Sequence, residues 1–557
     1  MHTHKWQQYQ LNAGGQFNFN SSATGNSFAD FLLGFASSYS EPASVDFVRI
    51  STNNYNLYAM DDWRISSRLT LNLGLRWEIV PHAYDSENNA SNFYPNLYNP
   101  AQAAQFLPSG ALNTQGPGFA TVSGIKLSNL PFYLNGIGIA GRNGIPAGLV
   151  DNHWDTFAPR IGFAYDLTGK QRTILRAGGG IFYERLAGNE MYNLIQNSVP
   201  FAYQAAPTNV YFDNPATAWT NGQTASTPYF PAGINALANP YKVPTAAQWS
   251  FGIQQQLREN AVLSVSYVGN SDYHQAIGIN INSLPANSPD RLGVCGANCG
   301  YTGTPLNPNL YRPYQGWGTI APLVTAGNSN YESLQVSFRA TAWKSLTLTS
   351  NYTWSHAFDL IDGELFSNVS NPFNARWDYG PAGWDRRQIL VTSFVYPFPF
   401  LRTTGSRAAK ALLGGWQLSG IYTLESGTPV SIGNGFDNLG LGGATANRAN
   451  IVAPITYPKT RLQWFSTSSF AQPAPLQWGT AARNDVVGPG TNNWNIAMYK
   501  TFQFSERARF EFRGETFNTF NHTQFAGLQT SFTSGNFGRL TGTQGQRIFE
   551  LGAKLLF

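Results

Sequence analysis

Charge is what this chain has least of. Only 12% of its 557 residues are Asp, Glu, Lys or Arg, about half the share usual in soluble domains. That scarcity excludes coiled coils, charged disordered tails and helical bundles with ionic surfaces. The 35 basic and 30 acidic residues leave a net charge of +5, too dilute over this length for a nucleic-acid footprint. No apolar run reaches the about 18 residues of a transmembrane helix. The N-terminus, Met1-His2-Thr3-His4-Lys5-Trp6, has no apolar stretch, so no signal peptide is expected there. Cysteine is nearly absent: Cys295 and Cys299 are too few to ligate a structural zinc, and no nearby pattern completes such a site.

Catalytic patterns are missing as well. The seven histidines form no HExxH, and His2 and His4 are the one close pair, read as an unstructured end rather than a metal site. Gly178-Gly179-Gly180 is not followed by Lys-Ser or Lys-Thr and so is no P-loop; on a strand it reads as close packing or a bulge. No Gly-x-Ser-x-Gly elbow occurs. The expectation is a non-enzyme without catalytic, cofactor-binding or metal residues. Asp61-Asp62 and Asp385-Arg386-Arg387 are dense in charge, but they read as strand-end or paired groups rather than an acid–base centre.

What is present is aromatic, glycine and uncharged polar residues: 38 Phe, 27 Tyr, 15 Trp and 55 Gly. These fit strands and turns, and the dominant signal is period-two alternation. Leu69, Leu71, Leu73, Leu75, Trp77 and Ile79 alternate with Thr70, Asn72, Gly74, Arg76 and Glu78. A helix, repeating every 3.6 residues, could not use that pattern. Strands are expected at 55–65, 68–80, 156–167, 171–184, 247–258, 260–270, 331–341, 345–357, 386–397, 414–426, 494–504, 506–517 and 546–557, with a fourteenth within 5–20.

The connections alternate too. Tight turns at Ser66-Ser67, Thr168-Gly169-Lys170, Glu259, Ala342-Trp343-Lys344 and Ser505 are interleaved with long segments at 81–155, 185–246, 271–330, 358–385, 427–493 and 518–545. The stretch 398–413 is the middling member of the short series. All long loops therefore fall at one end of an up-and-down sheet. Transmembrane β-barrels keep this parity, with short periplasmic turns and long extracellular loops; soluble sandwiches have no reason to. The last strand places Phe549, Leu551, Ala553, Leu555 and Phe557 on one face and ends on an aromatic.

Several stretches carry a family resemblance. Asn54-Tyr-Asn-Leu-Tyr-Ala-Met-Asp-Asp-Trp-Arg64, Arg68-Leu-Thr-Leu-Asn-Leu-Gly-Leu-Arg-Trp-Glu78, Phe157-Ala-Pro-Arg-Ile-Gly-Phe-Ala-Tyr165, Gly415-Trp-Gln-Leu-Ser-Gly420 and Phe512-Arg-Gly-Glu-Thr-Phe-Asn518 follow one another in order. Together they resemble the barrel of TonB-dependent outer-membrane receptors, and more narrowly the Oar-like branch, whose members often carry a carboxypeptidase-regulatory-like domain. The resemblance implies an all-β, antiparallel transmembrane barrel of about 22 strands around a plug. It also implies an outer-membrane location, lipid and the barrel assembly machinery as partners, and transport of a scarce, unknown extracellular substrate across that membrane, inward in the receptors at large and outward in some Oar-like members. In that family the terminal recognition pattern falls on Glu550, Gly552, Leu555 and Phe557.

About fourteen strands against about 22 lead to the expectation of a C-terminal barrel portion without plug, signal peptide or first strands. Contact with the TonB complex would then run only through a plug this chain lacks. In the oxidising compartment so implied, Cys295 and Cys299 read as a small loop disulfide. Arg507, Arg509, Glu511, Arg513 and Glu515 form a charge ladder facing the lumen, either a paired wall or a contact for plug or cargo. Aromatic loop segments such as Tyr94-Pro-Asn-Leu-Tyr98, Phe132-Tyr133 and Tyr311-Arg-Pro-Tyr314 suit ligand capture, though any large external loop would look the same. The alternatives are a non-transporting barrel remnant with adhesive or ligand-binding loops, and a soluble β-rich protein, which would have to bury rows such as Leu69 to Ile79.

Overall fold

The computed structural model describes residues 2–8, 15–42, 47–110, 134–184, 208–214, 231–342, 345–363, 367–399, 412–442, 447–505 and 508–557, with 113, 194, 199, 201, 204–205 and 408. Its centre is one antiparallel sheet in which thirteen strands follow each other in chain order. They are β1 (Tyr55–Arg64), β2 (Leu69–Ile79), β3 (Phe157–Asp166), β4 (Thr173–Tyr183), β5 (Thr245–Arg258), β6 (Ala261–Gly278) and β7 (Trp317–Ala342). The series continues with β8 (Leu346–Asp359), β9 (Gln388–Pro397), β10 (Trp416–Glu425), β11 (Thr491–Gln503), β12 (Arg509–Phe517) and β13 (Ile548–Leu556). Ala232–Leu237 pairs in parallel with the start of β7, and Gly380–Pro381 pairs with the end of β8.

Tight turns are set by local side-chain chemistry. Between β1 and β2 the Ser66 hydroxyl accepts the N–H groups of Arg68 (3.2 Å) and Leu69 (3.1 Å). Between β3 and β4 the Asp166 carboxylate accepts those of Thr168, Gly169 and Gln171, while Gly169 takes φ +70°, which glycine adopts without strain. Ser505 does the same for Ala508 between β11 and β12.

Register assigns each residue to a face. Leu73 lies opposite Ile161 on β3, and Tyr267 opposite Leu334, itself opposite Trp354. This face stays exposed along the sheet: Ile161 is 64% exposed, Phe251 51%, Trp354 51% and Leu551 80%. A water-soluble fold would cover such a row. The other face carries Asn72, Ser250, Gln335, Asn351, Thr353 and Tyr499. Buried apolar clusters lie instead in the long connections and outer strand ends. One gathers Ile50, Leu149, Leu194, Leu237 and Leu323; another Phe93, Ile234, Trp317 and Ile320; a third Ile432, Phe465, Phe470 and Val486.

Three expectations need correction. Residues 271–278 and 317–330 are not loop: β6 and β7 run on together past the sheet, with register shifts around Gln275 and His274 at φ +59°. Their sequence there loses its alternation because both faces meet protein rather than lipid on one side. The fourteenth strand does not join the main sheet. Gln16–Asn18 pairs with Phe35–Pro42, and His2–Gln8 pairs with Phe47–Asn53, in separate small sheets. The His2/His4 segment is thereby a strand rather than an unstructured end, since backbone pairing needs no apolar side chain.

Candidate ligand site in the outer loops

The long connections after β8, β10 and β12 converge on a cavity of about 880 Å3. Its walls come from Leu360–Gly363 and Ser367–Ser370, from Ser431, Phe436, Asp437, Asn447, Arg448 and Arg483, and from Thr530 and Ser531. Of the lining side chains only Leu360, Ile361 and Phe436 are apolar, Val369 being turned into a neighbouring apolar cluster; the others, glycines aside, offer hydrogen bonds.

Two buried ion pairs hold the walls. Arg448 Nη1 donates to Asp378 Oδ1 at 2.8 Å, both side chains being 5% exposed. Its guanidinium stacks 3.2 Å from the Trp377 ring centre, and Nε donates to Ala481 O at 2.9 Å. Burial pushes the Arg448 guanidinium below its usual range, opposed by Asp378. Arg483 pairs with Asp359 and, 2.7 Å away, with Asp362. Behind them Asn447 Nδ2 donates to Asn438 Oδ1 at 2.6 Å, and Asn438 Nδ2 donates to the carbonyls of Ala474 and Gln477. A polar network this buried specifies one loop arrangement, since a half-satisfied version costs heavily. Asp362, half-exposed at the cavity edge, also accepts the Gly383 N–H at 2.5 Å. Among the described residues no group of three or more His, Cys, Asp or Glu is placed to hold a metal ion.

The sequence-derived residues sit elsewhere. Arg507 lies outside the described residues. Arg509, Glu511, Arg513 and Glu515 share the face opposite Phe510 and Phe512, on β12. Arg509 Nε is 3.4 Å from Glu511, and Tyr499 donates to Glu515 at 2.8 Å. Across the strands Glu511 faces Lys554 and Glu515 faces Glu550. Glu550 and Gly552 are on this polar face, Leu555 on the apolar one, and Phe557 is 98% exposed. Cys295 and Cys299 are joined by a disulfide in the β6–β7 connection. Asp385 accepts the Ala357 N–H and lies 3.1 Å from His356, while Arg386 pairs with Glu425 at 3.2 Å, so that charged triplet ties the ends of β8, β9 and β10 together. Phe132 and Tyr133 lie outside the described residues, whereas Tyr98 and Tyr314 pack edge to face inside the loop core.

The cavity residues escaped sequence reasoning because their partners are remote: Asp359 and Arg483 are 124 positions apart. A smaller pocket in the loops mixes Val80, Pro81, Val243 and Pro244 with His82, Asp151, His153 and Glu184. His82 packs against Tyr241, its Nδ1 3.0 Å from Ala83 O, and burial lowers its pKa to about 4.

The model of a family described as "Outer membrane beta barrel domain" matches residues 1–550. No curated protein matches the chain. Similar solved structures include the outer membrane transporter YddB from Escherichia coli, at 11% identity and TM-score 0.44 over 92% of this chain and 55% of that one. Another is the FrpB iron transporter from Neisseria meningitidis, at 10% identity and TM-score 0.40 over 99% of this chain and 51% of that one. The ferric citrate transporter FecA matches at 9% identity and TM-score 0.38, over 93% of this chain and 50% of that one. The chain thus spans about half the length of the structures it matches.

Proposed function

The chain belongs to the outer-membrane β-barrel domain family and resides in the bacterial outer membrane, and from that premise we propose that it is the barrel wall and outer mouth of a TonB-dependent receptor. In this reading a scarce substrate is captured by the outer loops and moved inward with energy relayed from the inner membrane. The observation that carries it is the pairing of a polar inner wall with a loop canopy that has its own cores and a cavity braced by Arg448–Asp378 and Arg483–Asp359. A rigid, hydrogen-bonding mouth above a polar lumen suits selective entry rather than free diffusion. The Oar-like kinship of the Asn54–Glu78 segment belongs to the same reading.

Among the described residues β1 and β13 each have a single neighbour in the sheet. Unpaired edges are too costly in lipid, so in this reading the transporting form is a closed barrel in which both edges are paired. Deleting the gene and deleting TonB in the native host should abolish uptake of the same solute from spent medium. Unchanged uptake without TonB would leave a barrel with ligand-binding loops but no energy coupling.

A further inference from the structure

The glycine triplet on β4 does not act as a bulge. The ladders from β4 to β3 and to β5 run through Gly178, Gly179 and Gly180 without a register shift. Two of the three belong to a larger patch. Gly74 on β2 faces Arg160, which faces Gly180, and Gly162 faces Gly178. Gly74, Gly162, Gly178 and Gly180 therefore share the luminal face, opposite Leu73 and Ile161.

The backbone does not require glycine at these positions, since none of the four has positive φ. Packing does not require it at two of them. A Cβ on Gly74 would approach nothing closer than 3.6 Å, and one on Gly178 nothing closer than 3.5 Å. Glycine in a strand interior weakens the strand, so the bare floor serves the space above it. At Gly180 a Cβ would come within 3.0 Å of Arg160 Cγ, so glycine there lets the arginine lie flat along the wall.

Over Gly178 and Gly180, with Gly74 and Gly162 continuing the bare surface beyond its edge, lies a groove of about 740 Å3 walled by Phe182, Tyr331 and Trp384, with Gln248 and Asn270 beside them. Trp384 is 58% exposed. The Arg160 guanidinium sits 4.6 Å above the Phe182 ring, and its Nε is buried without a hydrogen-bond partner. Among the described residues no carboxylate forms an ion pair with Arg160; Asp272, two residues from Asn270 on β6, accepts from Asn270 and Ser329. Asn270 Oδ1 is a second buried atom without a partner.

We propose that this glycine-floored groove is a luminal binding site for a planar anion, such as an aromatic carboxylate. A flat ring lies on the exposed peptide groups of the glycines, the aromatic walls pack against it, and Arg160 takes the charge. Asn270 Oδ1 accepts from a hydroxyl or N–H on the ligand. The groove also touches the outer cavity's machinery: Asp362 at the cavity edge holds Gly383, next to Trp384. The site rests on the barrel reading that fixes which face is the lumen, and not on energy coupling.

The test uses the protein extracted from outer membranes in detergent, with tryptophan fluorescence and calorimetry as readouts. The probes are 2-naphthoate, its neutral amide and the saturated decalin carboxylate. Naphthoate should bind at least about tenfold more tightly than either analogue. Arg160→Gln and Gly178→Val should each weaken it about tenfold, the scale of losing one charge-assisted contact. Gly178 has room for a side chain within the fold, and an unchanged heat-dependent gel shift of G178V confirms that the barrel is intact. Equal binding of acid and amide, full affinity in R160Q, or no naphthoate binding by the wild type would each overturn the proposal. Should G178V not assemble, Trp384→Leu supplies the second variant, with the same loss expected by calorimetry. Naphthoate binding together with TonB-independent uptake would leave this site standing and remove the energy-coupled reading.

Discussion

Gly552 on β13 lies directly opposite Arg513 on β12, and the arginine side chain occupies the place a Cβ at Gly552 would take, with Nε only 2.6 Å from it. The glycine in the terminal pattern is therefore there for a steric reason, because it lets a luminal arginine lie across the last strand. Gly552→Leu should cost about 1–3 kcal/mol through overpacking and lower the yield of heat-modifiable barrel. Adding Arg513→Ala should restore it. If the double variant assembles no better than the single one, glycine acts there through the backbone or the assembly machinery.

The two faces of β2 give an opposed pair. Leu73 points outward and is 39% exposed, whereas Asn72 points inward and donates to Asp62 at 2.5 Å. Leu73→Arg places a cation against lipid and should cost about 2–4 kcal/mol at mid-membrane depth, blocking assembly. Asn72→Arg keeps an acidic partner and should assemble normally. Membrane fractionation distinguishes them. Soluble, folded L73R protein at normal yield would contradict the membrane orientation of this face.

Arg448→Met leaves Asp378 charged and buried at 5% exposure. Removing one partner of such a pair costs about 3–5 kcal/mol. The loss should appear as faster amide exchange around Asn447–Ile451, with the sheet unaffected. The double change Arg448→Met, Asp378→Leu should recover part of it, though not the Ala481 and Trp377 carbonyls that Arg448 satisfies nor the Ser370 N–H that Asp378 accepts. Exchange as slow in R448M as in the wild type would show that the pair does not brace the cavity.

How much of this was legible in the sequence follows from what constrains each part. Lipid on one side and water on the other force strict alternation from Leu69 to Ile79, so all thirteen sheet strands could be placed from pattern alone. The outer halves of β6 and β7 could not, because residues such as Ile277 and Trp317 pack into loop cores where neither face is privileged. The cavity was invisible for a related reason: Arg448 and Asp378 are 70 positions apart, and nothing local announces their contact. The glycine triplet stood out as a motif, but its meaning needed the register that aligns it with Gly74 and Gly162. Charge order along β12 was readable, while the choice of Tyr499 as partner for Glu515 depended on the neighbouring strand.

His82 offers a pH-dependent test of the loop core. Its ring is held neutral by burial, with a pKa of about 4 in place of the ordinary 6.5. A folded-state histidine pKa below its unfolded value means the unfolded loop binds more protons between those two points. The contribution of His82 to loop stability is therefore complete above about pH 6.5 and falls as the pH drops toward 4. Across that window the loss amounts to about 3 kcal/mol. Protease susceptibility of the 81–150 segment should rise on acidification, while the membrane-embedded strands stay protected. His82→Gln cannot titrate, so its acid sensitivity should be clearly shallower, leaving the slope due to the carboxylates and to His274, whose pKa is also lowered by burial. The same slope in both proteins would mean that His82 is hydrated in the folded loop rather than packed against Tyr241.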